Sequence, residues 1–193
     1  MSSNSIGKNI ANAFKVVYST YENVQKLISY LQNQAAENSG YVSCSDKFLR
    51  WNSDKNIEAW AYHSFILLFQ SKSDAELKNG WRDGPLYVID INLYDFGEAT
   101  VQTARFDYGD VNSLPNAVSP GDHWRFDDLL THYDEGFIEY KEENKKYTGE
   151  IKDIEKADRR YWGLRRVKGQ YFPLSDITVE NVCEKIFGVF DKL

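Results

Sequence analysis

The stretch Leu86-Tyr87-Val88-Ile89-Asp90-Ile91-Asn92-Leu93-Tyr94 alternates along its whole length. Successive side chains of a strand point to opposite faces, so Tyr87, Ile89, Ile91 and Leu93 share one side and Val88, Asp90, Asn92 and Tyr94 the other. Residues 99–108 answer this strand across Phe96-Gly97, which predicts an antiparallel hairpin with Ala104 and Phe106 beside Tyr87 and Ile89 on the core face. Upstream, residues 64–70 hold the apolar run Phe65-Ile66-Leu67-Leu68-Phe69, which suits a strand buried on both faces. Residues 41–51 and 57–62 are shorter, aromatic-rich strand candidates around a polar turn. Residues 161–167 read as a further strand, ended by Lys168-Gly169.

Helical patterns bracket this sheet. Ile10, Phe14, Val17, Tyr21, Val24, Ile28, Leu31 and Ala35 recur at alternating spacings of 4 and 3, a heptad period held for more than three repeats. The pattern predicts a helix over 5–38, stopped near Gly40. At 1.5 Å per residue it would be ~45 Å long, more than a small sheet can cover. Packing along its own sheet is expected, and a homodimer seam is the alternative. Phe126, Leu129 and Leu130 suit a short helix within 122–133, and residues 109–121 read as a loop broken by Pro115 and Pro120. At the other end, Val179, Val182, Cys183, Ile186, Phe187 and Phe190 make one helical face, capped by Ser175, Asp176 or Thr178. The expected fold is α+β: a mostly antiparallel sheet flanked by a long N-terminal helix and a C-terminal amphipathic helix. A single domain, 1–193, would comprise the helix at 5–38, a sheet-rich body at 41–173 and the C-terminal helix at 176–192.

Composition narrows the function classes. The 193 residues are 42% hydrophobic and 27% charged, which excludes disorder and fibrous repeats. No apolar run reaches the ~18 residues of a membrane span, and the first residues lack the pattern of a secretion signal, so a cytoplasmic protein without membrane partners is expected. Cys44 and Cys183 belong to no CxxC or Cys/His cluster, and two buried, reduced thiols are expected. A net charge of −6 argues against binding bulk nucleic acid, where neutralising phosphates supplies most of the affinity. Aromatics make 15% of the chain, a composition that also suits binding surfaces.

The sharpest local departure is basic and aromatic. Lys156, Arg159, Arg160, Arg165, Arg166 and Lys168 stand against Asp158 alone, with Tyr161 and Trp162 among them. Arginine forks match phosphate oxygens and aromatic rings stack on bases, so Arg159, Arg160, Tyr161, Trp162, Arg165 and Arg166 are the candidate ligand-binding residues for an anionic, nucleotide-like molecule. The competing expectation pairs these arginines with the acidic run that precedes them, Asp134, Glu135, Glu139, Glu142, Glu143, Glu150, Asp153, Glu155 and Asp158.

Catalytic signals are sparse. Phe137-Ile138-Glu139-Tyr140-Lys141 resembles the second half of the PD-(D/E)XK nuclease signature, which implies Mg²⁺ held by carboxylates and a lysine beside the attacking water. Glu150-Ile151-Lys152 repeats the triplet. The partner acid has no clear place: Asp127 and Asp128 fall in a helical pattern, and Asp90 lies on a strand 49 positions before Glu139. His123 and His132, among Asp122, Asp127, Asp128 and Asp134, are nine residues apart rather than the four that align two ligands on a helix, and His63 adjoins a buried strand. Asp90 and Asn92 with Arg105 and Asp107 are expected on a solvated outer face of the hairpin. No Walker loop, GxGxxG, GxSxG or HExxH occurs. These observations favour a non-enzymatic binding protein without a cofactor, acting by occupying or sequestering a protein or a phosphorylated small ligand. Inhibitors and immunity proteins work in this way, a functional analogy only. An Mg²⁺-dependent nuclease is the alternative.

Overall fold

Residues 3–94, 97–133 and 136–193 are described in the computed structural model, with the side chains of residues 3, 4 and 35 excepted. Seven antiparallel strands form one sheet: β1 (Tyr41–Ser43), β2 (Ser64–Ser71), β3 (Leu86–Asn92), β4 (Thr100–Tyr108), β5 (Ile138–Glu143), β6 (Lys146–Ile151) and β7 (Leu164–Pro173). Their spatial order is β1-β2-β3-β4-β7-β6-β5. The chain therefore leaves β4, crosses to the far edge, returns through the β5–β6 hairpin and inserts β7 beside β4. The class is α+β, with four helices among the described residues.

Both faces of the sheet are covered, which is why β2 and β3 are buried at nearly every position. On one face, Val24, Ile28 and Leu31 of α1 (Ser3–Glu37) pack with Phe65, Leu67, Phe69, Ile89 and Ile91 and with Val182, Ile186, Phe187 and Phe190 of the C-terminal segment. On the other, α2 (Trp124–Leu130) and α3 (Ile154–Arg160) cover Ile66, Leu68, Val88, Ala104, Phe106 and Val167. Core-facing apolar side chains of this kind contribute about 1.5–3 kcal/mol each, so the two layers carry most of the fold.

Several sequence expectations change. Residues 57–62 are not a strand: Ile57–Trp60 is a 3₁₀ turn, and Tyr41–Ser43 is all that pairs of the expected strand at 41–51, apart from a bridge from Leu49 to Ile66. Ala104 and Phe106 oppose Val88 and Leu86, on the face away from Tyr87 and Ile89. The turn residue Phe96 lies outside the described residues, as do Asp134 and Glu135 of the acidic run. β7 starts at Leu164 and continues through Gly169 to Pro173; Tyr161 is the last residue capping α3. Gly169 permits this, because a Cβ there would lie 2.4 Å from the Tyr147 ring. At the C-terminus a π-helical turn, Cys183–Phe187, runs into α4, Gly188–Phe190, shorter than the expected helix. Cys183 is exposed and Cys44 half-buried, both unpaired. The burial of Cys44 pushes its thiol up to about 12.

α1 spans 35 residues, ~52 Å at 1.5 Å each. Only its C-terminal half lies on the sheet. Towards the N-terminus Tyr21 still meets the sheet: its hydroxyl donates to the Tyr62 carbonyl at 2.9 Å and its ring meets Phe65 edge-on. Before Tyr21 the heptad residues Ile10, Phe14 and Val17 are exposed.

Candidate functional site

The six basic-aromatic residues divide among three environments. Tyr161 is in the core: it is 1% exposed, its ring stacks on Phe137 at 4.7 Å and its hydroxyl lies 3.2 Å from Asp128 Oδ2. Its faces are thus occupied from within. Arg160 lies over Trp124 at 5.1 Å and over Tyr161 at 5.7 Å, and 4.0 Å from Asp128. Arg125 fills the space between Trp124 and Trp162, with its guanidinium 4.3 and 4.7 Å from the two ring centres, and it donates to the Arg160 carbonyl. The result is a ladder, Trp162–Arg125–Trp124–Arg160–Tyr161, held by cation–π contacts. Trp124 and Arg125 were not legible as members of this group, although they are adjacent in the sequence beside His123.

Arg165 and Trp162 line a hollow of about 480 Å³ with Gly109, Asp110, Ser113, Asp158 and Gly163. Trp162 has φ +53°, a left-handed conformation costly for a side chain of its size, and Gly163 follows at +82°. The Ser113 hydroxyl holds the Trp162 carbonyl at 2.9 Å, and the Gly109 amide donates to the Gly163 carbonyl at 2.9 Å. A Cβ on Gly109 would press on the Arg165 guanidinium, so the glycine makes room for that arginine. Within the hollow, Arg165 donates to Asp158 at 2.6 Å. Arg166 points elsewhere and pairs with Glu150 at 2.7 Å, and Arg159 is exposed at the end of α3. Two of the six residues therefore share a concavity.

The triplet Glu139-Tyr140-Lys141 sits on edge strand β5. Ile138 faces the α2 layer, so Glu139 and Lys141 face the opposite side of the sheet. Asp90 follows Val88 on the α2 side, and Asp127 and Asp128 are on α2 itself. The acids named as partners for Glu139 are thus separated from it by the sheet. Glu139 instead binds Lys152 at 2.7 Å, which holds its carboxyl below the usual range.

Asp90 and Asn92 are not on a solvated face. Both are fully buried, and Arg105 and Asp107 lie on the other side of the sheet, since Arg105 opposes Tyr87. Alternation alone does not reveal this, because a second layer covers the polar side as well. The Ser64 hydroxyl lies 2.7 Å from Asp90 Oδ1 and 2.7 Å from His123 Nε2. A hydroxyl has one proton to give: where Ser64 gives it to Asp90 Oδ1, the partner at Ser64 must be a protonated His123 Nε2–H. That direction is the reverse of what a histidine base activating a serine requires. His123 also lies 3.8 Å from Asp127 Oδ1. His132 stacks on Tyr140 at 3.8 Å, and His63 stands between Trp51 and Tyr94. Among the described residues no three His, Cys, Asp or Glu side chains gather as a metal site.

Exposed aromatic side chains stand at the end of the sheet where β2 begins and β3 ends. The rings of Trp51, His63 and Tyr94 touch in series at 6.3 and 6.4 Å. The Leu93 amide donates to the His63 carbonyl at 2.7 Å, which fixes the two strand ends together. Tyr94 is 76% exposed, and Ile57 and Trp60, on the turn leading into β2, are 73% and 71% exposed. Compared with family models, curated proteins and solved structures, the chain matches none. No helix among the described residues is long and apolar enough to cross a membrane.

Proposed function

We propose that this chain is a binding protein that acts by occupying or sequestering a protein partner, with the aromatic end of the sheet as its contact surface. The observation that carries the reading is the exposure of Ile57, Trp60 and Tyr94 at that end, beside Trp51. Large apolar side chains in water are costly, and Trp and Tyr are the residues that most often anchor protein interfaces. The surface stands on a rigid base, because β2 and β3 directly beneath it are buried on both faces. A cytoplasmic setting accompanies this reading, supported by two unpaired thiols.

The test compares proteins that co-purify with the unmodified chain and with a Trp60→Ala/Tyr94→Ala variant, followed by calorimetry with the purified partner. The expected result is a partner whose affinity falls at least tenfold in the variant while the melting temperature stays the same. Equal recovery of every bound protein by both forms overturns the reading.

A second reading, an anionic nucleotide-like ligand in the Trp162–Arg165 hollow, is favoured by one observation. The left-handed Trp162 keeps its ring and the Arg165 guanidinium on one concavity. Such strain persists where surrounding structure enforces it, often at ligand clamps.

A further inference from the structure

The N-terminal half of α1 extends beyond the sheet with its apolar side exposed: Ile6, Ile10, Phe14, Val16 and Val17 are all in solvent, Phe14 at 60% and Val16 at 67%. Alongside the other half of the same helix runs an open apolar groove of about 750 Å³. Thr20, Asn23, Leu27 and Tyr30 of α1 form one wall, and Ile177 and Val179 help form the other. One element therefore carries both a protruding apolar rod and an unfilled apolar trough.

We infer that α1 pairs antiparallel with α1 of a second copy, so that residues 6–17 of each chain fill the groove of the other. The lengths agree: residues 6–17 span ~18 Å at 1.5 Å per residue, and the wall from Thr20 to Tyr30 spans ~17 Å. The faces agree as well. Thr20, Asn23, Leu27 and Tyr30 follow one another at intervals of three and four, and the same stripe continued towards the N-terminus contains Val16, Ala13, Asn9 and Ile6. A two-fold axis near residues 18 and 19 sets this flank of one helix against the same flank of the other. Ile10 comes opposite Leu27 and Phe14 opposite Asn23. Ile10, Phe14 and Val17 then face down onto Ile177 and Val179, as Val24, Ile28 and Leu31 face their own sheet. Self-complementary pairing of one patch is what a closed dimer requires.

Charge selects a second copy of this chain as the occupant. Lys8 and Lys15 are the only charges before Glu22, and all 29 acidic residues lie from Glu22 onward. Each rod is thus a cationic segment docking on an acidic body. In the stated register Lys15 lies level with Glu22 of the other copy, both on the outward side of the helix pair, and the groove is lined by one charge of each sign, Lys26 and Glu180. The dimer is tested at Phe14 and Val179 and the partner-binding reading at Trp60 and Tyr94, so separate variants distinguish the two.

Light scattering and sedimentation velocity on the full chain test the inference. A dimer is expected, and Phe14→Glu and Val179→Glu are each expected to raise its dissociation constant at least a hundredfold. Phe14 is 60% exposed, so the far-ultraviolet circular dichroism spectrum of Phe14→Glu should match that of the unmodified chain. Register is read by oxidative cross-linking in a Cys183→Ser background. An Ile10→Cys/Leu27→Cys variant should form covalent dimers, and Phe14→Cys alone should not. A monomer at every concentration overturns the inference, as does a dimer that survives Phe14→Glu or efficient cross-linking of Phe14→Cys, the mark of a parallel seam. A monomer that binds vesicles of anionic phospholipid through Phe14 overturns it in favour of a membrane-surface role for the rod.

Discussion

The Ser64 hydroxyl stands 2.7 Å from Asp90 Oδ1, a side-chain bond that joins β2 to β3 inside the protein rather than at its surface. His123 completes the cluster from the turn that precedes α2, so the bond also positions that helix over the sheet. Ser64→Ala removes a hydrogen bond to a buried carboxylate and should cost about 1.5–3 kcal/mol. Urea unfolding at pH 7 measures this, and a loss below ~0.5 kcal/mol would show the carboxylate to be satisfied without Ser64.

Gly169 tests the packing of the inserted strand. A methyl group there would meet the Tyr147 ring at 2.4 Å and the Thr103 carbonyl oxygen at 3.0 Å. Gly169→Ala should therefore destabilise by about 1–3 kcal/mol through overpacking, read as a lower midpoint of thermal or urea unfolding.

Arg165 and Asp158 are 38% and 52% exposed, so their ion pair should contribute no more than ~1 kcal/mol. Arg165→Gln is expected to leave the melting temperature nearly unchanged. If the hollow holds an anionic ligand, the same substitution removes the heat of nucleotide binding. Titration calorimetry against mono-, di- and cyclic nucleotides, with and without the substitution, decides between a site and a surface pair.

Lys152 holds the Glu139 carboxyl below the usual carboxylate range, aided by Lys141. A carboxyl whose pKa is lower in the folded state contributes its small stabilisation above the unfolded pKa, and loses it as pH falls through the folded value. In a carbon-detected NMR titration, Glu139 should have a midpoint below that of an ordinary glutamate. Lys152→Ala should raise that midpoint, and added salt should narrow the difference between the two proteins, since both groups are in water.

The two thiols should react at very different rates. Cys183 is exposed, whereas burial pushes Cys44 up to about 12 and leaves almost no thiolate at neutral pH. Titration with a disulfide reagent is expected to modify one thiol quickly and the second only on unfolding, with the quick phase absent in Cys183→Ser.

Local periodicity in the sequence determined the types of the longest elements. The heptads of α1, the alternation of residues 86–92 and the apolar run of β2 each follow from the geometry of a single helix or strand. Those signals sufficed for an α+β fold with an antiparallel sheet. Tertiary structure alone decided which faces meet water. Asp90 reads as a surface residue from alternation and is interior because a second helical layer covers its side. Phe106 opposes Leu86 rather than a neighbour of Ile89, because register depends on the length of a connection that alternation does not measure. The arginines show the same limit: their clustering is local, but Asp128, Asp158 and Glu150 reach them through folds of the chain that place distant residues side by side. A heptad pattern likewise fixes the apolar side of α1, while the breadth of the sheet beneath it fixes how much of that side is left exposed.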